Sequence, residues 1–192
     1  MAERIQNVHE KWYKGVKYKS TLEADTAEAL DKMGLPIRYE ERVLTVFEGF
    51  RCSYQKEKVR DITYKPDFWV GDIILECKGF ETPEWKLKKK LVFKYLKENE
   101  PNIIFYQIHD ARKQLIQALD PHWNYLGYAI RVTSNKKNSN GQAFTHLYDS
   151  VSMAMVNLGL EKKSIGPIVR SLMGIQEYVF GYNWKLKKLR YE

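Results

Sequence analysis

The segment KPDFWVGDIILECKGF, residues 65–80, leaves the chain few ways to fold around it. Two apolar runs, Phe68-Trp69-Val70 and Ile73-Ile74-Leu75, flank Gly71-Asp72. Glycine followed by a small polar residue between such runs predicts a two-residue hairpin of type II′. Counting outward from the turn pairs Val70 with Ile73, Trp69 with Ile74 and Phe68 with Leu75, and sets Asp67 opposite Glu76. Side chains alternate along a strand, so Lys78 shares the face of Glu76. The other face offers Phe68, Val70, Ile73, Leu75 and Cys77 to a core. The hairpin is thus expected to gather its polar chemistry on one side, and Trp69 shares that side, packing under the first helix or contacting substrate.

Directly opposed carboxylates, with Cβ atoms about 4.5–5.5 Å apart, repel unless something neutralises them. A hard cation with oxygen ligands does so, and Mg²⁺ is commonly held by one or two carboxylates with waters and phosphate oxygens. A metal between Asp67 and Glu76 suits hydrolysis of a phosphodiester, with Lys78 orienting the attacking water or stabilising charge in the transition state. The same spacing also fits a surface hairpin whose Asp, Glu and Lys form a cross-strand charge cluster.

The remaining pattern predicts a mixed α/β core. Residues 15–36 read as a short strand, a helix capped by Ser20 with a stripe of Leu22, Thr26, Ala29, Leu30 and Met33, and a stop at Gly34 and Pro36. Residues 37–64 alternate well enough for two or three strands. After the hairpin, TPEWKLKKKLVFKYLKEN is a helix with Thr82 as N-cap and Pro83 in the first position. NIIFYQIH is a buried strand, DARKQLIQALD a helix, and YLGYAIRV a last strand. Helix, strands, helix, strand, helix, strand describes a central sheet with flanking helices over residues 1–131. TSNKKNSNGQ lacks periodicity and reads as a linker, 132–144. Two short helices follow, capped by Ser150 and Ser164 and separated at Gly159, so that 145–192 forms a helix-turn-helix module. FGYNWKLKKLR then places aromatics among basic residues.

Charge separates the two parts. Residues 131–192 hold 10 Lys and Arg against 4 Asp and Glu, which accounts for most of the net charge of +8. A basic appendage points to a polyanionic partner, most often nucleic acid, or else to a solubilising tail. Lys86, Lys90, Lys94 and Lys97 recur on one helical face. They suit a DNA phosphate path, or a solvated face opposite Leu87, Leu91 and Tyr95. His109 and His122 lack partners at metal-ligand spacing and read as structural. The 2 cysteines, Cys52 and Cys77, are not in a CxxC and are expected to be reduced thiols. No apolar run approaches ~18 residues, and MAERIQNVHEKWYKG has no apolar core of a secretory signal. A cytoplasmic protein, not secreted, is the expectation.

PDF followed by LECKGF resembles the signature of the PD-(D/E)XK nuclease superfamily. With GVKYKSTLEADTAEAL, RDITYKPDFWV and LECKGFETPEWKLKKKL, the chain is similar over about residues 13–130 to a phage-borne family within it. The motif order also resembles that of phage and archaeal Holliday-junction endonucleases. The resemblance implies a restriction-endonuclease-like core and Mg²⁺-dependent cleavage of DNA, with Mn²⁺ able to substitute. Asp67 and Glu76 would bind the metal and Lys78 would act on the water or the transition state. A further acidic residue on the first helix matches Glu23, as catalytic residue and metal ligand. Ser20-x-x-Glu23 is equally a capping box.

Residues 145–188 are similar to the helix-turn-helix module appended to intron-encoded and phage homing nucleases. The matching features are a serine before the first helix, LG in the turn, SI opening the second helix and GYNWK at the end. Met153 stands where such modules usually carry an acidic residue, and Gly166 and Pro167 leave few side chains for base readout. Lys162, Lys163, Ser164, Arg170, Lys185 and Lys187, with Lys86 and Lys90, are the expected DNA contacts, and Arg190 belongs to the same basic set. A small helical cap on the main domain is the competing reading of the module. Together the features predict an endodeoxyribonuclease of phage or homing type, possible as a homodimer. The rivals are a structure-selective junction resolvase and a non-cleaving DNA-binding regulator with a nuclease fold.

Overall fold

The structure, a computed structural model, describes residues 9–54 and 56–189. The first eight residues of the N-terminal stretch read above, and Arg190, lie outside them. In chain order the elements are β1 (Lys11–Tyr13), β2 (Val16–Tyr18), α1 (Thr21–Lys32), β3 (Arg38–Tyr39), β4 (Leu44–Phe47), β5 (Ile62–Tyr64), β6 (Phe68–Val70), β7 (Ile73–Cys77), α2 (Pro83–Asn99), β8 (Ile104–Ile108), α3 (Lys113–Leu119), β9 (Tyr128–Lys137), β10 (Ala143–Tyr148), α4 (Val151–Asn157), α5 (Ile165–Leu172) and β11 (Tyr182–Lys188). The class is mixed α/β, as the sequence predicts. The chain forms two compact units, one of residues 37–109 and one of residues 1–36 with 110–192.

In the unit 37–109 a four-stranded sheet runs β3-β6-β7-β8. The β6–β7 hairpin takes the predicted register, Phe68 with Leu75, Trp69 with Ile74 and Val70 with Ile73. Gly71 has φ 56° while Asp72 does not take a positive φ, the sign pattern of a II′ turn. α2 then carries the chain over to β8, which lies parallel to β7 from Ile73–Ile104 to Cys77–Ile108. Thr82 starts α2 by accepting from the Trp85 N–H at 3.1 Å. One core packs Trp69 and Ile74 against Leu44, Val46 and Tyr64 from the β4–β5 pair and Trp85, Val92 and Leu96 from α2. That corrects one expectation: the face shared by Trp69 and Glu76 is a core face, not a polar one. Within this unit the helix covering it is α2. The apolar stripe of α2 also runs through Trp85, Val92 and Leu96, and Leu87 is 63% exposed.

In the other unit, α1 is N-capped by Ser20 and buries Ala24, Thr26, Ala27, Ala29 and Leu30. A three-stranded antiparallel sheet runs β10-β9-β11. The segment 132–144 is therefore not a linker. β9 continues through it to Lys137, Asn138–Gln142 turn the chain, and β10 returns. The Asn138 side chain accepts from the N–H of Asn140 at 3.0 Å and of Gln142 at 2.9 Å, and Gly141 takes φ 76°. The Asn and Gly that suggest a flexible tether are turn residues of a hairpin.

The C-terminal segment is accordingly not separate from what precedes it. α4 and α5 form where Ser150 and Ser164 predict them, but they lie between two strands that both pair with β9. Asp120, only 5% exposed, ties the parts together. Its carboxylate accepts from the Val151 N–H at 2.6 Å, the Ser152 N–H at 3.0 Å, the Ser152 hydroxyl at 2.7 Å and the Trp123 indole at 3.1 Å. With Ser150 accepting from Met153, the first three N–H groups of α4 are satisfied. A helix of 7 residues is marginal alone, so this anchoring decides whether it forms. Trp184 of β11 is fully buried, with its N–H on the Ser171 hydroxyl at 3.2 Å and its indole on the Val179 carbonyl at 3.2 Å.

Asp120→Ala is expected to lower unfolding free energy by about 3 kcal/mol or more, because it leaves several buried donors unsatisfied, and Asp120→Asn by less. Urea denaturation followed by tryptophan fluorescence checks both. A chain ending at Arg131 removes most of β9 with both its partners and should show no cooperative thermal transition in this part. Retention of a full, cooperative circular-dichroism transition would restore the boundary at 131.

Candidate active site

Asp67, Glu76 and Lys78 are brought together at the open end of the β6–β7 hairpin, but not in the expected way. The paired ladder ends at Phe68 and Leu75. Asp67 turns its carboxylate onto the backbone, accepting from the Cys77 N–H at 2.8 Å, and its own carbonyl accepts from the Glu40 N–H at 3.0 Å. Glu76 is paired in the sheet with Gln107 of β8. Asp67 thus finds a backbone donor beyond the end of the ladder.

Glu76 is 4% exposed. Its Oε2 accepts from the Tyr64 hydroxyl at 2.7 Å, a buried bond, and its Oε1 faces the Lys78 ammonium at 3.4 Å. Burial first, and the Glu76 charge second, push the Tyr64 phenol well above its ordinary value of 10. It stays protonated and donates to the carboxylate at any ordinary pH. Lys78 lies with Nζ 4.4 Å from the centre of the Trp85 ring, a distance suited to a cation–π contact.

The backbone of Lys78 is held as firmly as its side chain. Its N–H donates to the Ile108 carbonyl at 2.9 Å, and its carbonyl accepts from His109 Nδ1. With the proton on Nδ1, His109 Nε2 accepts from the Gln107 amide at 3.2 Å. Gln107 Oε1 in turn accepts from the Trp85 indole at 3.0 Å and from Lys89 at 3.2 Å. Lys89 also pairs with Glu81. A closed circuit, Trp85 to Gln107 to His109 to the Lys78 carbonyl, therefore returns to the residue whose ammonium rests on Trp85. His109, read from the sequence as structural, borders this site.

Tyr64, Trp85, Gln107 and His109 were not among the site residues the sequence singles out. Tyr64 has a local signal, since it precedes Asp67 by 3 positions and shares the Glu76 core. Gln107 and His109 have none, because the register of a parallel pair is set by the crossover helix and not by a turn that can be counted from.

The remaining candidates lie on other elements. Glu23, in the unit of residues 1–36 with 110–192, is 6% exposed. Its Oε1 accepts from the Ser20 hydroxyl at 2.8 Å and its Oε2 from the Lys19 N–H at 3.2 Å, while the Ser20 oxygen accepts from the Glu23 N–H at 3.2 Å. Both oxygens serve the start of α1, in the reciprocal manner of a capping box. Lys86 and Lys90 are exposed on α2. Lys162, Lys163 and Ser164 lie exposed between α4 and α5, Arg170 is exposed on α5, and Lys185 and Lys187 are exposed on β11. Ser164 accepts from the Gly166 N–H at 3.3 Å.

Among the described residues, no three His, Cys, Asp or Glu side chains form a cluster of metal-ligand type. The donor set at the hairpin, two carboxylates, matches in kind what Mg²⁺ uses when waters and phosphate oxygens complete its shell. Among the described residues no helix is long and apolar enough to cross a membrane. Comparison of the chain with protein-family models, curated proteins and solved structures found no match.

Tyr64→Phe removes the donor to a buried carboxylate and should cost about 1–3 kcal/mol of stability at neutral pH. The pH dependence has a fixed sign. A phenol whose pKa is raised by folding adds stability that is complete below about pH 10 and is lost as pH rises beyond it. The melting temperature of the parent should therefore fall more steeply above about pH 10 than that of Tyr64→Phe. Parallel alkaline profiles would remove Tyr64 from this account.

Proposed function

We propose that this chain is a metal-dependent DNA endonuclease of the PD-(D/E)XK type, hydrolysing phosphodiester bonds at the end of the β6–β7 hairpin. The observation that carries the reading is Glu76. A carboxylate 4% exposed at the end of an apolar strand, with a lysine two residues on and held beside it by Trp85, is a costly arrangement for a purely structural surface. The mixed sheet with its parallel β7–β8 step supports a restriction-endonuclease-like core.

In this reading Asp67 and Glu76 would hold Mg²⁺, which when bound polarises the scissile phosphate and lowers the pKa of a bound water. Tyr64 keeps one Glu76 oxygen oriented by donating to it. Lys78 supplies a fixed positive charge to the phosphate as charge builds on its oxygens, or orients the attacking water. Its ammonium is partly desolvated by Trp85, which strengthens that interaction. Glu23 enters chiefly as the cap that fixes the start of α1, where both its oxygens accept hydrogen bonds. Exposed Lys86 and Lys90 on α2 would provide phosphate contacts.

Plasmid nicking in Mg²⁺, with EDTA as the control, tests the reading. Cleavage should require the metal, and Asp67→Asn and Glu76→Gln should abolish it. Lys78→Met should lower turnover by at least ~10²-fold with little change in metal affinity measured by calorimetry. Metal-independent nicking, or parental rates in the carboxamide variants, would refute it. Stability adds a separate readout. Asp67→Ala and Glu76→Ala each remove the acceptor of a hydrogen bond, so both should fold less stably than the parent, the reverse of what relief of a like-charge pair would give.

A further inference from the structure

The sheet β10-β9-β11 has two unlike faces. One is buried through Ile130, Val132 and Trp184. On the other, Lys185 stands opposite Arg131, which stands opposite Leu147, and in the next row out Asn183 faces Thr133 and Thr133 faces Thr145. Lys187, opposite Ala129, completes the face on the other side of Lys185. The Thr145 hydroxyl donates to the Thr133 hydroxyl at 3.3 Å, which fixes these rows on one side. Lys185 and Lys187 are exposed and Arg131 is half-buried.

Lys185 and Arg131 are a directly opposed cross-strand pair of like charge, and Lys187 lies on the same face one pleat away. Such pairs destabilise a sheet by themselves. Several lysines elsewhere do have carboxylate partners, as in Lys11–Asp25, Lys14–Asp31, Lys32–Glu28 and Lys65–Glu40. Among the described residues no carboxylate pairs with Arg131, Lys185 or Lys187. α5, by contrast, is poorly equipped to read DNA. It buries Ile168, Val169, Ser171 and Leu172, and its first turn is Ile165-Gly166-Pro167.

We propose that the outer face of the β10-β9-β11 sheet, through Arg131, Lys185 and Lys187, takes the phosphate backbone of duplex DNA, and that this face rather than the α5 helix is the anchor of the protein on its substrate. The inference deepens the nuclease reading and rests on its choice of DNA as partner. Charge complementarity selects the occupant. Three cations with no carboxylate partner among the described residues, on one pleated surface, repel one another until an anion of repeating charge covers them, and the Thr133 and Thr145 hydroxyls beside them are phosphate donors that carry no sequence information. Binding through this face is accordingly expected to be strongly salt-dependent and nearly indifferent to sequence.

The test is fluorescence anisotropy of the full chain with a labelled 20-base-pair duplex, in EDTA, across a salt series. The triple variant Arg131→Gln, Lys185→Gln, Lys187→Gln should reduce the magnitude of the log–log salt slope by about 2.7, at ~0.9 for each phosphate contact. Arg131→Lys should keep the parental slope. Without DNA the triple variant should melt no lower than the parent, because a like-charge pair is relieved, and this guards against loss of binding through misfolding. An unchanged slope in the triple variant overturns the proposal. So does a larger slope loss in Lys162→Gln, Lys163→Gln, Arg170→Gln, which would return the anchor to the helices. Vesicles of mixed anionic and zwitterionic lipid form the third arm, and loss of vesicle binding with intact DNA binding in the triple variant would assign the face to a membrane surface instead. Because no metal is present, failure here is distinct from failure of the nuclease reading. A protein that nicks DNA but whose slope ignores this face loses only the present inference. One that binds by the face and never nicks loses only the nuclease.

Discussion

A buried carboxylate organises the unit of residues 37–109. Glu76 is withdrawn from water at the end of a strand whose other members are all apolar and buried. Taking an ionised group out of water is tolerable only when its oxygens are matched by donors or charge. Tyr64 and Lys78 provide that match, and each requirement propagates. Tyr64 has to be carried to the site by the β4–β5 pair, whose Leu44 and Val46 then close the core over Trp69 and Ile74. Lys78 has to be kept from swinging into solvent, which is the work of Trp85 at the first turn of α2 and of Gln107 on β8 with His109 just beyond it. The elements around the hairpin are therefore arranged as much by one charge as by the apolar surface they bury.

Some of this was legible in the residues and some was not, for reasons of range. The hairpin register follows from Gly71-Asp72, because a two-residue turn leaves nothing to choose. The starts of α1, α2, α4 and α5 follow from Ser20, Thr82, Ser150 and Ser164, whose side chains act within three residues. What failed was non-local. Asp67 opposite Glu76 is the extrapolation of the ladder, yet the ladder ends at Phe68 and Leu75 and the Asp67 carboxylate accepts from the Cys77 N–H. Glu23 was read both as a ligand and as a cap, and the structure shows it engaged as a cap.

The misreading of residues 132–144 has a different origin. A strand that is exposed at its far end needs no apolar residues there, so the last turns of a hairpin and a tether have the same composition. The pattern Ile130, Val132 is too short to show alternation before the polar stretch begins. What decides for a strand is supplied elsewhere, by Trp184 and by the hydrogen bonds of β11, which lies about fifty residues downstream. Asp120 works the same way. As one acid before a proline it carries no distinguishing signal, and its importance comes from four donors, three of them on Val151 and Ser152.

Stability and chemistry compete at the two sites in opposite ways. At the hairpin, the acids that would hold a metal are already used by the fold, each accepting a hydrogen bond from a neighbour. A cation would therefore enter a site that is organised beforehand, and little reorganisation would be needed as charge develops on a phosphate, which is the condition under which fixed groups act most strongly. At the β10-β9-β11 sheet, the proposed anchor cations have no carboxylate partner among the described residues, so a polyanion bound there would add stability by the act of binding. The first arrangement favours accuracy at the reacting bond and the second favours adhesion without discrimination. On the proposed reading, holding a duplex loosely and cutting it at a defined geometry are kept apart in the sequence, one at a buried hairpin and the other on the outer face of the β10-β9-β11 sheet.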